Sequence, residues 1–364
     1  MSDALFWLAV VLIFSAALIR LLRAAAAERS GPAAGLTALL FLGLGALLCA
    51  EAGLRIYQRV RRGVPLLVGT NSFADQRLGW IGRREFGAAD ATRRRILFVG
   101  DSFTDGMEVP ARSAYYRLLA DDFGAEAFAY GGRGYGTLQE LMVIDRYVDR
   151  LHPDLIVLQV CSNDILNNSW ELERRSYQQN MAMTRPYLEN GRVVYRYPRR
   201  LASLRSLLID HSRVFHLIFI RLETLLLHLA KRGWLHTIEQ DIADPGRRPP
   251  AFRTAAAVTD QLVRRIRERA GAIPVVAFAA DEVEPYSTEL RRIFEANGVP
   301  LINEVPPAER REAAAGRSPY LADGTHWNEH GHRVAAAALA AAFRGPLRGA
   351  VGPLHHPEGP SGPS

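Results

Sequence analysis

Lysine is almost missing from this chain: Lys231 is the only one among 364 residues, so arginine carries the excess positive charge behind the formal net charge of +7. Cysteine is nearly as scarce. Cys49 sits in an apolar run and Cys161 follows a strand-like run, environments too different for a disulfide framework, and the pair neither demands nor excludes an oxidising compartment. Leu48 directly before Cys49 also argues against a lipoprotein cleavage site. No Cys/His spacing of the kind that closes a structural zinc site occurs. No internal repeat is visible, which sets aside solenoids and propellers. Nor is there a basic stripe interleaved with aromatics, so no nucleic-acid partner is expected. The arginine and alanine bias reads as base composition, and arginines beside apolar runs suit anionic headgroups.

What the chain does have is apolar residues, 48% of the total, concentrated at the front. The runs Leu5–Leu22 and Ala33–Ala50 each approach the roughly 20 residues needed to cross a bilayer. A cleaved signal peptide fits less well, since no basic residue precedes the first run and no small-Xaa-small site follows it. Residues 1–62 therefore read as a two-helix membrane anchor. Two spans put the N-terminus and everything after residue 62 on one side. Arg20, Arg23 and Arg29 lie between the runs and Arg55, Arg59, Arg61 and Arg62 follow the second, a count that leans toward a cytoplasmic domain.

After a turn-rich linker, 63–92, strand-like and helix-like patterns alternate. Strands are predicted at Ile96–Gly100, Ala125–Tyr130, Leu155–Val160, Val275–Ala280 and Pro300–Asn303. Helices are predicted at Ser113–Asp122, Leu138–Leu151, Ala255–Ala270, Ser287–Ala296 and Gly331–Phe343. Alternation of this kind predicts an α/β fold, a parallel sheet with helices on both faces, over residues 93–346. An insertion interrupts it at about 167–253, and 347–364 reads as a disordered tail.

The insertion begins with a hairpin pattern from Arg185 to Pro198 turning at Asn190-Gly191. Leu204–Ala230 then reads as one long apolar helix, with Leu204, Leu208, Phe215, Ile218, Leu222, Leu225 and Leu229 on one stripe. Arg221 and Glu223 near its middle argue against a third span. Packing on the domain is the plain expectation. Apolar residues on a second face, Ile209, Leu217, Ile220 and Leu227, open the alternative of contact with the bilayer or a partner.

The chemistry-bearing residues cluster where the predicted strands end. Gly100-Asp101-Ser102 closes the first strand, which is where open α/β sheets place reactive groups. A serine hydroxyl needs a base, an orienting acid and oxyanion donors. Asp323-Gly324-Thr325-His326 supplies base and acid on one loop. A glycine N–H from Gly131-Gly132-Arg133-Gly134-Tyr135-Gly136 and the Asn163 amide of Cys161-Ser162-Asn163-Asp164 join the Ser102 N–H as three donors. Gly-Asp-Ser alone is ordinary turn chemistry, and so is Asp-Xaa-Xaa-His. Four such blocks in order, each at a strand end, carry far more. Asp105 and Asp164 stand near the same mouth, either tuning it or capping turns. His330 and His332 beside Asp323 and His326 suggest a metal cluster at first sight, but a triad and a helix start explain the segment, and no metal or cofactor is expected.

Ser102, Gly134, Asn163 and His326 occur in the order that defines the SGNH (GDSL-like) hydrolases, and the chain resembles that family from about Arg93 to Arg344. The resemblance implies a flavodoxin-like three-layer fold and a serine esterase. Ser102 would be the nucleophile, Asp323 and His326 the rest of a triad, and Ser102, Gly134 and Asn163 the oxyanion donors. Gly131, Gly132 and Gly136 compete with Gly134 for that role. Two departures bear on pocket shape: Ala129 stands where the family often has Asn, and Cys161 where it usually has Gly. Similar anchored proteins face the periplasm and act on acetyl groups of cell-surface polysaccharide, which implies a carbohydrate ester as substrate, with O-acetyl transfer as a variant. A lipid-directed esterase and a catalytically idle component of a polysaccharide system are the alternatives.

Overall fold

In the computed structural model, residues 3–27, 32–62, 74–75, 78–80, 83–90, 92–106, 109–176, 184–196 and 202–351 are described. Two helices, α1 (Asp3–Ala26) and α2 (Pro32–Arg62), open the chain, followed by short strands β1 (Ala74–Asp75) and β2 (Gly79–Trp80). Next come β3 (Arg83–Phe86), β4 (Arg95–Gly100), α3 (Ser102–Asp105), α4 (Tyr115–Asp122), β5 (Glu126–Gly131), α5 (Thr137–Leu151), β6 (Leu155–Val160), α6 (Asn163–Asn167) and α7 (Trp170–Glu173). The interrupting region holds β7 (Arg185–Glu189), β8 (Arg192–Arg196), α8 (Ala202–His211), α9 (Arg213–Lys231) and α10 (Ile238–Ala243). The chain closes with α11 (Pro250–Ala270), β9 (Val275–Ala279), α12 (Tyr286–Ala296), β10 (Leu301–Ile302), α13 (Val305–Ala314), α14 (Glu329–Arg344) and α15 (Arg348–Val351). Most of the expected linker and the expected tail beyond Val351 lie outside the described residues, as do Tyr197 and Pro198 at the end of the hairpin pattern.

The chain divides into two compact units. One holds α1, α2, β1, α8 and α9; the other holds the remaining elements.

The second unit is built on a six-stranded sheet in the order β10-β9-β6-β4-β5-β3. Five strands are parallel, as the alternation predicts, and the sixth is not. β3 joins as an antiparallel edge, Arg83 opposite Gly131 and Phe86 opposite Phe128, from a stretch whose Arg-Arg-Glu-Phe sequence gives no strand signal. From β4 the chain adds β5 on one side and then crosses to add β6 on the other. That reversal of strand order opens a crevice beyond the carboxyl ends of β4 and β6, the usual ligand position in an open α/β sheet.

Apart from Gln159 of β6, the interior of the central strands β4, β6 and β9 is apolar because both faces are covered. Leu97 and Val99 of β4 point to one side and join Ile156, Leu158, Ile144 of α5 and Leu262 of α11. Ile96 and Phe98 point to the other and join Val157, Leu119 of α4 and Leu339 of α14. The two-residue strand period thus splits one run between two cores.

The sequence-predicted hairpin forms as β7 and β8, paired from Glu189↔Arg192 outward. Asn190 and Gly191 both take positive φ, 50° and 77°, the backbone of a two-residue primed turn. A buried ion pair, Arg185–Glu173 at 3.1 Å, holds the hairpin to α7, and Tyr187 donates to the same carboxylate at 2.8 Å. Arg185 also donates to Gln139 Oε1, 3.1 Å away on α5.

The single helix expected over 204–230 is two. Ser212 breaks it with extended backbone, φ −122° and ψ 122°, and its side chain accepts from the Phe215 N–H as the N-cap of α9. Serine is among the preferred caps, and the apolar periodicity running through it conceals the break. Nor do these helices group with the sheet unit; they belong with α1 and α2.

Candidate active site

β4 delivers its last residue, Gly100, against Gln159 of β6. A Cβ at Gly100 would lie 2.4 Å from both Gln159 Oε1 and Thr104 Oγ1, so only glycine passes here. Gln159 Oε1 accepts from Asp101 N–H at 3.0 Å, Thr104 N–H at 3.3 Å and Thr104 Oγ at 3.0 Å. Asp101 then caps α3, its Oδ1 accepting from Phe103 N–H at 3.0 Å. These bonds fix the turn that presents Ser102. Gln159 is a residue that the strand-end blocks do not reveal, although one polar residue inside Leu-Ile-Val-Leu-Gln-Val is a signal, since a buried amide needs partners.

His326 Nε2 lies 2.9 Å from Ser102 Oγ, and His326 Nδ1 lies 2.6 Å from Asp323 Oδ2. A carboxylate only accepts, so Nδ1 carries the hydrogen and Nε2 is left to accept from the serine hydroxyl. Asp323 Oδ1 accepts from the Thr325 and His326 N–H groups at 2.9 and 3.0 Å. Burial acts to raise the Asp323 carboxyl, but the bonds from His326 and the loop N–H groups together outweigh it and hold the carboxyl below its ordinary range. The loop is anchored by the next residue. Trp327 is 1% exposed and packs its ring 4.7 Å from Phe103, the residue after the serine. Asn328 caps α14 through bonds to the His330 and Gly331 N–H groups at 2.8 and 3.0 Å.

Of the four competing glycines, Gly132 donates its N–H to Gly100 O and Gly136 donates to Gln139 Oε1. Gly131 belongs to β5. Gly134 sits at φ +67° in the turn closed by Tyr135 N–H to Gly132 O at 2.9 Å, and its own N–H has no acceptor among the described residues. Positive φ at this point favours glycine. The Ser102 N–H likewise has none, as expected at the first position of a helix.

Asn163 follows β6. Its Nδ2 donates to Asp101 Oδ2 at 3.0 Å, which leaves the second amide hydrogen over. Cys161 Sγ is 3.0 Å from both Asp101 Oδ2 and Asn163 Oδ1. Burial, then the Asp101 charge, pushes this thiol well above its ordinary range, so it stays a neutral donor. The departure from the usual glycine therefore fills the space beside Asn163 with a weak hydrogen-bond donor.

The two unassigned carboxylates are framework groups. Asp105 accepts from Arg83 N–H at 3.2 Å and pairs with Arg133 Nε at 3.2 Å, tying the Gly134 loop to the β3 edge. Asp164 accepts from Cys161 N–H at 2.8 Å and Thr137 Oγ at 3.0 Å. Burial, then Asp164 itself, raises the neighbouring Glu140 well above the carboxylate range. Burial, then the Asp101 charge, raises Asp164 as well, against the lowering effect of its bonds from Cys161 N–H and Thr137 Oγ. His330 and His332 face elsewhere: His330 Nε2 meets Glu312 at 2.7 Å, and His332 Nδ1 accepts from Tyr115 N–H at 3.2 Å. Among the described residues no group of three or more such side chains is arranged to hold a metal.

Residues 98–334, well over half the chain, match the GDSL-like Lipase/Acylhydrolase family model. The chain belongs to this family. Solved structures similar to this GDSL-like hydrolase include LAE5, an alpha/beta hydrolase enzyme from the metagenome of Lake Arreo, Spain, with 18% identity and a TM-score of 0.38 over 71% of this chain and 98% of that one. The lipase/acylhydrolase from Enterococcus faecalis is similar at 14% identity and a TM-score of 0.38, covering 69% of this chain and 96% of its own. An acetylxylan esterase from Geobacillus stearothermophilus has 13% identity and a TM-score of 0.35, covering 71% and 94%. No curated protein matches. As a GDSL-like hydrolase the chain is an esterase or acylhydrolase by family, and its two N-terminal helices are long and apolar enough to cross a membrane.

Proposed function

We propose that this chain is a serine esterase that removes acyl groups, acetyl foremost, from esters on carbohydrate at the cell surface, held at the membrane by α1 and α2. The observation that carries this reading is the continuous hydrogen-bonded chain from Asp323 through His326 to Ser102, at 2.6 and 2.9 Å. Supporting it are the N–H groups of Ser102 and Gly134, which have no acceptor among the described residues, and the second Asn163 amide hydrogen. The carbohydrate acetyl ester and the extracytoplasmic side rest on likeness to anchored SGNH proteins.

In this mechanism Ser102 Oγ attacks the ester carbonyl carbon while His326 Nε2 takes the hydroxyl proton. The carbonyl π electrons move to oxygen, and the three donors hold the oxyanion. Asp323 keeps the imidazole in the Nδ1–H form and stabilises the imidazolium. Collapse breaks the bond to the alcohol oxygen, which leaves with the proton from His326. Water then repeats the sequence on the acyl-Ser102 ester, giving up its proton to His326 and releasing the acid. A sugar hydroxyl in place of water gives acyl transfer through the same intermediate.

The test is a p-nitrophenyl ester series, acetate to palmitate, on the full chain in detergent, with Ser102→Ala as control. Preference for acetate that the substitution abolishes is the expected result. Preference for long chains would replace carbohydrate with lipid as the substrate, and no turnover above the control would overturn the hydrolase reading.

A further inference from the structure

Glu51 lies on α2, within the second stretch long and apolar enough to cross a membrane, yet it is only 3% exposed. A carboxylate among apolar helices is costly unless its oxygens are filled. Here they are filled from the segment that interrupts the sheet region. Oε1 accepts from Arg213 N–H at 3.1 Å and from Arg55 Nε at 2.6 Å. Oε2 accepts from Ser212 Oγ at 2.9 Å and Val214 N–H at 3.0 Å. Arg213 and Val214 open α9, where helical N–H groups lack partners of their own and the helix dipole favours an anion. Glu51 thus caps a helix more than 150 residues away in the chain.

The same junction is held from α1. Trp7 Nε1–H donates to His211 O at 2.9 Å, Arg55 donates to that oxygen at 3.2 Å, and the Phe6 ring stacks 5.1 Å from His211. The Arg213 guanidinium reaches Gln58 of α2 at 2.8 Å. The turn between α8 and α9 is therefore fixed to both N-terminal helices.

Beyond that turn, α9 exposes Leu217, Ile218, Leu222 and Leu225, each at least 43% exposed, on one stripe. Arg221 is exposed on the same stripe, in the middle of a helix 19 residues long. Such a helix is long enough to reach across a bilayer core, at about 28 Å, but a mid-helix arginine facing acyl chains opposes that orientation. An apolar stripe broken by one arginine suits a helix lying in the interface, with the arginine stem buried and its head at the phosphates. Most other exposed apolar residues of this unit, such as Leu12 and Ile19 of α1 and Leu39 and Leu42 of α2, belong to the two candidate spans; Leu204 of α8 and Trp234 after α9 do not.

We propose that α9 is a third membrane-contacting element, its Leu217–Leu225 stripe resting among the acyl chains beside α1 and α2 and its start fixed to them by Glu51. This rests on α1 and α2 being membrane spans. Bilayer lipid is the occupant because one solvent then covers the exposed apolar stripes of α1, α2 and α9 together, and because Arg221 would be stranded in a dry protein interface.

The test uses the full chain in vesicles of phosphatidylethanolamine and phosphatidylglycerol containing a trace of phosphatidylcholine with a diazirine midway along one acyl chain. After irradiation, lipid adducts are mapped by digestion and mass spectrometry. Adducts on the Leu217–Leu225 peptide as well as on α1 and α2 are expected. Adducts on α1 and α2 with none on α9 would overturn the inference while leaving the anchor standing; adducts on none of them would overturn both. Glu51→Ala should lower α9 labelling about fivefold or more by stripping acceptors from buried N–H groups, while α1 and α2 stay labelled. Undiminished α9 labelling in that variant would remove Glu51 from the docking role.

Discussion

Asn163 reaches across the crevice from the end of β6 and donates one amide hydrogen to Asp101 Oδ2, 3.0 Å away beside Ser102. The bond restrains the amide, and in the proposed mechanism its remaining hydrogen is one of the three oxyanion donors. Asn163→Ala should lower kcat about 10²- to 10³-fold on p-nitrophenyl acetate with KM little changed, since the lost interaction strengthens only in the transition state. A kcat within twofold of wild type would exclude Asn163 as a donor.

Much of this arrangement is legible in the sequence because strand ends announce themselves. The apolar run Leu155–Val160 predicts β6 with the bounds it has, and β4 differs from its predicted start by one residue. Ser102 and Asn163 stand out because each comes just after an apolar run, and His326 because it shares a short loop with Asp323 ahead of a helical pattern. The unread parts lack such a signal. β3 is an edge strand whose pairing with β5 stabilises it, not its own Arg-Arg-Glu-Phe. The break at Ser212 hides inside continuous apolar periodicity, and only its capping bond reveals it. Glu51 directly follows the apolar run that ends at Ala50, and the groups it serves at the start of α9, from the cap Ser212 and from Arg213 and Val214, are remote in sequence. Long-range polar partners of this kind leave no local pattern.

Gln159 carries a second prediction. Its Oε1 is the acceptor for Asp101 N–H, Thr104 N–H and Thr104 Oγ. Gln159→Leu keeps most of the volume and removes the acceptor, so unfolding free energy in urea should fall by at least about 1–3 kcal/mol, the cost of unsatisfied buried donors. Gln159→Glu, which retains an acceptor oxygen, should restore the turn more than Leu does. Equal stability of wild type and Gln159→Leu would show that the turn is held elsewhere.

A third prediction concerns pH. Glu309 is 3% exposed and accepts from the Tyr320 hydroxyl at 3.1 Å. Burial pushes its carboxyl up to about 8, against the lowering effect of the Tyr320 bond. A raised native value means the folded chain holds a proton that the unfolded chain releases. Its contribution to stability is complete below the unfolded carboxylate value and is lost as pH rises toward about 8. Melting temperature should therefore fall as pH rises through that window, and Glu309→Gln should flatten the fall. An identical pH slope in the variant would mean that Glu309 is ionised in the native state.

The last prediction separates a catalytic unit from two independent contributions. Ser102 and His326 share one hydrogen bond, 2.9 Å long, and in the proposed mechanism neither acts without the other. Ser102→Ala and His326→Ala should each reduce kcat by several orders of magnitude, and the double variant should be no slower than the slower single one, as expected of residues that act together. Additive losses would show that the histidine contributes without activating the serine. Asp323→Asn belongs in the same series. Its side chain is 42% exposed, so water can partly replace the lost acceptor, and the expected fall of about 10²- to 10⁴-fold reaches the value seen for fully buried acids only at its upper end. If Asp323→Asn left kcat unchanged, the 2.6 Å bond to Nδ1 would orient the ring without stabilising the imidazolium, and the backbone contacts of the loop would suffice to hold the base in place.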